Sequence, residues 1–92
     1  MFTFGYNNKG QCGHGTTESV LKARPIEQVL EDADLPDRLR ESPKWICAAG
    51  GRDHSLAVSD QGDVYATGNN AKGTLGLPGI TYAIWFSKVH TV

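Results

Sequence analysis

Three observations predict an all-β fold: a short apolar run bounded by glycines, an alternating segment followed by a tight turn, and a glycine pattern that occurs twice. The apolar run is Trp45-Ile46-Cys47-Ala48-Ala49, and it ends at Gly50-Gly51. Such a run is typical of a buried strand, although periodicity alone does not separate it from a buried helix segment. The segments that follow favour the strand.

A β-hairpin is predicted directly after this run. His54-Ser55-Leu56-Ala57-Val58-Ser59 alternates large and small side chains, and Asp60-Gln61-Gly62 separates it from Asp63-Val64-Tyr65-Ala66-Thr67. A connection of this length with Gly near its end is the hairpin signal in which Gly takes the left-handed conformation. We therefore expect the two runs to pair antiparallel.

A fourth strand is predicted over residues 84–89, which read Ile-Trp-Phe-Ser-Lys-Val. Its counterpart near residues 24–30 follows Pro25, and Pro is tolerated at the start or the edge of a strand. Trp45 and Trp85 each lie inside a strand-like apolar run, so we expect both in the core of the sheet rather than on a binding surface.

Residues 4–13 and 67–76 carry the same pattern, 63 positions apart, and Phe2 aligns with Tyr65 at this shift. Internal repeats of this kind indicate a fold built from stacked units. The chain is one period of 63 residues followed by a second copy of its first 29. The matching pairs in the two patterns are Gly5 with Gly68, Asn7 with Asn70, Lys9 with Lys72, Gly10 with Gly73 and Gly13 with Gly76.

Four strands in succession form one blade of a β-propeller. The small residues of 48–51 suit the inner strands, where the sheets converge on a central channel. The repeated glycines stand where a strand ends and the chain must turn, and Gly supplies the positive φ that such turns need. We expect Gly5, Gly10, Gly13, Gly68, Gly73 and Gly76 to be structural turn residues.

The segments 50–58, 60–65 and 68–76, taken together, resemble a regulator-of-chromosome-condensation repeat, and residues 4–15 resemble the tail of a preceding repeat. The resemblance covers about 2–30 and 44–77 well and 84–92 weakly. It implies antiparallel four-stranded blades and a parent propeller of seven blades, of which this chain is a fragment.

The resemblance also predicts how the chain is organised. We expect residues 1–30 to end one repeat, 31–43 to form an inserted polar surface loop, and 44–92 to form the second repeat. The insertion explains why this repeat is longer than the family's repeats of about fifty residues. A short helical turn over residues 36–40 fits its composition, and a role of this loop in partner binding is the alternative to a solvated excursion.

The composition excludes several classes of protein. The net charge is -1 with 21% charged residues, so no electrostatic reason for nucleic-acid binding exists. The apolar stretches are far too short for a membrane helix. Cys12 and Cys47 lie far apart, and we expect two free, partly buried thiols in a reducing intracellular compartment, the nucleus or the cytoplasm. Because one blade alone buries little, we expect either marginal stability or self-association of the chain into a homo-oligomer.

No motif predicts a cofactor, a metal or an enzyme active site. Lys72 precedes Gly73, whereas a phosphate-binding loop has Lys directly after its last Gly. Cys12-Gly13-His14 is a single close Cys/His pair, and zinc needs four ligands. Asp53-His54 lacks a nucleophile in a suitable turn.

Asp53 and His54 are the candidate partner-binding residues. For His54 a backbone hydrogen bond near the turn is the plainer expectation, whereas the resemblance implies that both side chains face a partner GTPase. It implies a guanine-nucleotide exchange factor for a Ran-like small GTPase, associated with chromatin through the parent protein. The alternative is a non-catalytic scaffold propeller within a larger protein, such as a ubiquitin ligase or a ciliary protein, since fold does not fix function.

Overall fold

The computed structural model describes residues 1–5, 7, 10–31, 38–51, 53–70 and 82–89. In these residues every regular element is a strand, so the predicted all-β class is confirmed. The strands are β1 (Phe2–Gly5), β2 (Val20–Pro25), β3 (Gln28–Leu30), β4 (Leu39–Glu41), β5 (Trp45–Gly50), β6 (His54–Ser59), β7 (Val64–Asn69) and β8 (Tyr82–Lys88).

Strands β5, β6, β7 and β8 are consecutive antiparallel neighbours and form the predicted blade. In the hairpin between β6 and β7, His54 lies opposite Gly68 and Val58 lies opposite Val64. Gly62 in the connecting turn has a φ of 84°, the left-handed conformation expected there. No helix in the described part of the chain is long and apolar enough to span a bilayer.

The sheet has six strands instead of the expected four, and it is mixed rather than purely antiparallel. Its order is β4-β3-β8-β7-β6-β5, so a hairpin of β3 and β4 extends the blade beyond β8. Strand β3 runs parallel to β8, with Leu30 opposite Ser87. The addition is favourable because it buries Val29 and Leu30, which are 0% and 4% exposed.

The segment 31–43, expected to be a surface loop, contains strand β4. Leu39 to Glu41 pair with β3, and the Arg40 guanidinium forms an ion pair with Glu31. These three residues are therefore a strand paired with β3 rather than part of a loop. The helical turn expected over residues 36–40 is not formed at Leu39 and Arg40, which belong to this strand. Residues 32–37 lie outside the described residues.

Strands β1 and β2 repeat the pairing of β7 and β8. Phe2 lies opposite Pro25 and Thr3 opposite Arg24, while 63 positions later Tyr65 lies opposite Lys88 and Ala66 opposite Ser87. Each ladder has an irregularity at the next step, between Thr3 and Gly5 and between Ala66 and Gly68. Even a single hydrogen bond recurs: Ile26 N–H donates to Met1 O at 2.8 Å, and Val89 N–H to Val64 O at 2.8 Å. The sequence repeat is therefore also a repeat of backbone register.

The largest core cluster joins the two repeats: Ile26 and Val29 from the first half of the chain pack with Ala57, Tyr65 and Phe86 of the blade.

The two tryptophans are both half-buried but have different surroundings. Trp45 packs against the core cluster with its ring edge-on to Tyr65, at a centroid distance of 5.3 Å, and its Nε1–H donates to Ser42 Oγ at 2.8 Å. Trp85 is half-buried beside Gly15 rather than enclosed.

The inner strand β5 is exposed along Ile46 to Gly50. The thiol of Cys47 is consequently exposed, whereas Cys12 is buried as expected. The prediction of a partly buried Cys47 was wrong because no element in the described part of the chain covers the inner strand.

Candidate partner-binding turn

The turn between β5 and β6 carries Asp53 and His54, which are both half-buried at one end of the blade. Two backbone hydrogen bonds hold it: Gly51 N–H donates to His54 O at 2.7 Å, and Asn69 N–H donates to Asp53 O at 2.7 Å. The first bond closes the turn, and the second fixes it to the end of β7. The carbonyls of Asp53 and His54 are therefore each held by a backbone hydrogen bond.

Gly68 lets the turn approach β7 closely. Its φ is 109°, and a Cβ at this position would lie 2.7 Å from the His54 Cα, well inside van der Waals contact. A side chain at Gly68 would push Asp53 and His54 away from the sheet. This glycine, one of the predicted structural positions, thus sets the location of the candidate binding pair.

The His54 ring lies over Gly51, where an added Cβ would be 2.8 Å from Cε1. In the described residues the ring makes no hydrogen bond to the backbone. The expected backbone hydrogen bond therefore does not hold this ring. The ring packs instead against Gly51, which has no side chain to displace it.

Neither Asp53 nor His54 has a side-chain hydrogen bond or ion pair in the described part of the chain. The opposite end of the blade differs. There Lys88 Nζ lies 3.5 Å from Asp63 Oδ2 and 3.6 Å from Glu31 Oε2, so acidic side chains are paired within the chain. The carboxylate and the imidazole at the β5–β6 turn thus have hydrogen-bonding capacity that the other described residues do not use.

A segment of the first repeat, residues 10–16, packs beside this turn, and we call it the glycine segment. Its carbonyls accept bonds from the blade: Ser55 Oγ donates to Gln11 O at 2.9 Å, and Thr67 Oγ1 donates to Gly10 O at 2.6 Å. Gly15 N–H donates to Ile84 O at 2.7 Å. The first repeat is thereby attached to three strands of the second.

The glycines of this segment have positive φ, 78° at Gly10 and 74° at Gly13. Both lie tightly against β8: an added Cβ at Gly10 would be 2.7 Å from the Ile84 Cα, and one at Gly13 would collide with the Phe86 ring. Gly5 is the last residue of β1. Gly73 and Gly76 lie outside the described residues.

Asn7 is a key residue whose role sequence reasoning did not identify. Its side chain is fully buried; Nδ2 donates to Thr16 O at 2.9 Å and to Glu18 O at 2.8 Å, and Oδ1 accepts from Cys12 N–H at 2.9 Å. These bonds give the glycine segment its shape. The sequence did contain an indication of this role, because Asn7 aligns with Asn70 in the 63-residue repeat. Asn70 is also buried.

The Cys12 and His14 side chains serve structure in this segment. Burial raises the pKa of the Cys12 thiol, which keeps it protonated. Thr3 Oγ1 donates to Cys12 O at 2.6 Å and lies 2.7 Å from His14 Nε2. The described residues contain no group of three His, Cys, Asp or Glu side chains that could hold a metal ion.

Comparison with known proteins identifies the repeat. The family model described as "Regulator of chromosome condensation (RCC1) repeat" matches residues 1–58, and a second model with the same description matches 46–74. The chain belongs to the RCC1 repeat family. The predicted resemblance is confirmed.

Several RCC1-repeat proteins are similar to this chain. Protein RCC2 of Mus musculus is 39% identical over 84 residues, which cover 91% of this chain. The X-linked retinitis pigmentosa GTPase regulator of Homo sapiens is 35% identical over 77 residues, which cover 84% of this chain. Human WBSCR16, an RCC1-like β-propeller of known crystal structure, superposes with a TM-score of 0.65 at 27% identity over 95% of this chain.

The chain spans a small part of each relative: 14% of RCC2, 6% of the GTPase regulator and 20% of the WBSCR16 chain. The similarity therefore establishes the repeat and its fold.

Proposed function

We propose that this chain is a protein-interaction unit of a β-propeller that binds a Ran-like small GTPase through the turn at Asp53 and His54 and promotes release of its nucleotide. The observation that carries the proposal is a pair of polar side chains that no other described residue engages, on a turn held by backbone bonds. The printed name of one similar protein, a GTPase regulator, supports the class of partner.

The chemistry of the turn suits recognition rather than bond-making. A carboxylate accepts two hydrogen bonds in the geometry that an arginine side chain offers, and an imidazole both donates and accepts. A partner surface with an exposed Arg or Lys opposite Asp53 satisfies these groups. Nucleotide release then follows from contacts that favour the nucleotide-free GTPase, so the chain acts without a cofactor and without forming a covalent bond.

Cys12 and Cys47 are not joined in a disulfide, which accords with an intracellular site of action, in the nucleus or the cytoplasm. Chromatin association belongs to this proposal only through the protein that carries the chain.

The binding test compares Asp53→Ala with Asp60→Ala. Asp60 lies in the β6–β7 turn at the opposite end of the blade and is exposed, so it controls for the loss of one surface charge. The affinity for a Ran-like GTPase, nucleotide-free and GDP-loaded, is measured by calorimetry. We expect Asp53→Ala to weaken binding about tenfold or more, as for truncation of one partner of a charged pair, and Asp60→Ala to leave it unchanged.

Release of fluorescent GDP from the same GTPase tests the exchange activity separately. Acceleration above the intrinsic rate, reduced by Asp53→Ala, supports the exchange-factor assignment. Binding through Asp53 without any acceleration would assign the chain to the non-catalytic scaffolds of the family. Equal binding by the Asp53→Ala and Asp60→Ala variants would refute the assignment of the turn.

A further inference from the structure

Ser42 lies in the connection between β4 and β5 and directly precedes Pro43. Of the 4 prolines in the sequence, Pro43 is the one that follows a serine or threonine. Proline has no N–H, and it disfavours a helical backbone at the residue before it. The two residues therefore form an extended Ser-Pro segment outside the strands, and Ser-Pro is the substrate pattern of proline-directed protein kinases.

Ser42 shares one face of the sheet with Arg40 and Glu31. Residues two apart along a strand lie on the same face, as do residues directly opposite across an antiparallel pair. Arg40 lies opposite Val29, and Ser42 N–H donates to Glu27 O at 2.9 Å, which continues the ladder of β3 and β4 as far as Ser42. The ion pair between Arg40 and Glu31 forms on this face.

Two groups can donate hydrogen bonds to a phosphate on Ser42 Oγ. Trp45 Nε1–H already donates to this oxygen at 2.8 Å, and a phosphate oxygen accepts the same bond. Arg40 is two residues away along an extended backbone, about 7 Å, which an arginine side chain can span. Its guanidinium matches a phosphate with two parallel N–H···O bonds.

Arg40 can change partner without leaving a carboxylate unpaired. Its present ion pair with Glu31 joins side chains that are 49% and 37% exposed, and exposed pairs of this kind contribute little to stability. Glu31 Oε2 also lies 3.6 Å from Lys88 Nζ. A phosphoserine carries a charge of about −1.5 to −2, so it attracts the guanidinium more strongly than a carboxylate does. Glu31 then keeps its pair with Lys88.

A kinase can reach Ser42 by opening one short strand. Ser42 is half-buried, and β4 before it is the outermost strand of the sheet, with three residues paired to β3 alone. An edge element with so few backbone bonds is among the parts of a fold that open at the lowest cost. The hydroxyl thus becomes accessible while the blade stays folded.

We propose that Ser42 is a phosphorylation site for a proline-directed protein kinase and that Arg40 and the Trp45 indole bind the phosphate. Ser42 Oγ attacks the γ-phosphorus of ATP and forms the new O–P bond. The bond from this phosphorus to the oxygen that bridges it to the β-phosphate breaks, ADP leaves, and the hydroxyl proton passes to the kinase. The phosphate connects β4 to the start of β5 and so holds the β3–β4 hairpin on the blade.

The modification is tested by incubating the 92-residue chain with a purified proline-directed kinase and ATP, followed by mass spectrometry. We expect one phosphate, located at Ser42, and incorporation at least tenfold slower for Pro43→Ala. Thr17 is exposed but precedes Glu18, so it should stay unmodified. A synthetic peptide of residues 38–48 serves as the reference substrate. Phosphorylation of the peptide without that of the chain, or of neither, would overturn the proposal.

Phosphorus NMR of the phosphorylated chain tests what binds the phosphate. Arg40 should keep the second pKa of the phosphate below its ordinary value of about 6, and Arg40→Gln should raise this pKa by about 1. Lys22→Gln is the control, because it removes an exposed cation from β2, which lies outside this sheet. Equal phosphate pKa values in the two variants, both folded by circular dichroism, would overturn the role of Arg40.

Discussion

Asn7 is expected to determine much of the stability of this small fold, because it connects three parts of the first repeat. Its amide donates to Thr16 O and Glu18 O and accepts from Cys12 N–H, all at 2.8–2.9 Å, and its side chain is fully buried. Asn7→Ala removes all three hydrogen bonds, so the carbonyls of Thr16 and Glu18 and the N–H of Cys12 each lose the bond to the Asn7 amide. A buried hydrogen bond contributes about 1 kcal/mol net, so the loss is about 3 kcal/mol.

A loss of this size is readily measured. A domain of this length is stable by roughly 5–14 kcal/mol, so Asn7→Ala should remove a fifth or more of the free energy of unfolding. At about 4–8 °C per kcal/mol, the Tm should fall by about 12–24 °C. Asn7→Asp keeps the acceptor for Cys12 N–H but places a carboxylate against two carbonyl oxygens, so we expect it to destabilise the fold at least as much.

Urea denaturation followed by circular dichroism gives the free energy of unfolding and the m-value, and a thermal melt gives the Tm. Thr17→Ala is the matched control: Thr17 lies in the same connection but is exposed, so its loss should cost less than about 0.5 kcal/mol. A decrease below about 1 kcal/mol for Asn7→Ala, with an unchanged m-value, would refute the reasoning. It would mean that the connection between β1 and β2 keeps its shape without the three bonds.

Three further predictions concern the glycine segment and the thiols. Gly13→Ala should lower the free energy of unfolding by about 2–5 kcal/mol, because the added Cβ is strained in the left-handed conformation and also collides with the Phe86 ring. Gly62→Ala is the control, since its Cβ would meet open space at a similar φ. Equal melting of the two variants would contradict the packing part of this argument. A thiol reagent should label Cys47 at once and Cys12 only on unfolding, and equal labelling rates would show that Cys12 is not buried. Burial raises the folded-state pKa of Cys12. The contribution of this thiol to stability is therefore complete below the ordinary thiol pKa, and it is lost as the pH rises through the higher folded-state pKa. Cys12→Ala should abolish this decline in melts recorded at several pH values.

The local pattern was enough to predict the blade itself. Alternation in His54–Ser59, the Gly62 turn and the small residues of β5 each specify a strand or hairpin without reference to distant residues, and the 63-residue shift anticipated the repeated register of β1–β2 and β7–β8. The strand β4 could not be predicted in this way. Leu39-Arg40-Glu41 has a single apolar residue, and it becomes a strand only because β3 lies beside it.

The candidate site was predictable in position but not in its contacts. The turn at Asp53 and His54 follows from the hairpin pattern. Its contacts depend on how closely the turn approaches Gly68, which is distant in sequence. This approach determines that the His54 ring packs on Gly51 and that no other described residue bonds to either side chain. The exposure of Cys47 was missed for a related reason, since burial depends on what covers β5 rather than on the apolar character of the run.

At the glycine segment, the first repeat meets the second through main-chain atoms. Ser55 and Thr67 donate to the carbonyls of Gln11 and Gly10, and the closely packed glycines leave no space for side chains. This part of the joint depends on backbone shape, whereas Ile26 and Val29 add side-chain packing elsewhere in it. A repeat that keeps the glycine spacing and these two apolar positions should therefore fit the same neighbour, whatever residues it carries on its outer surface.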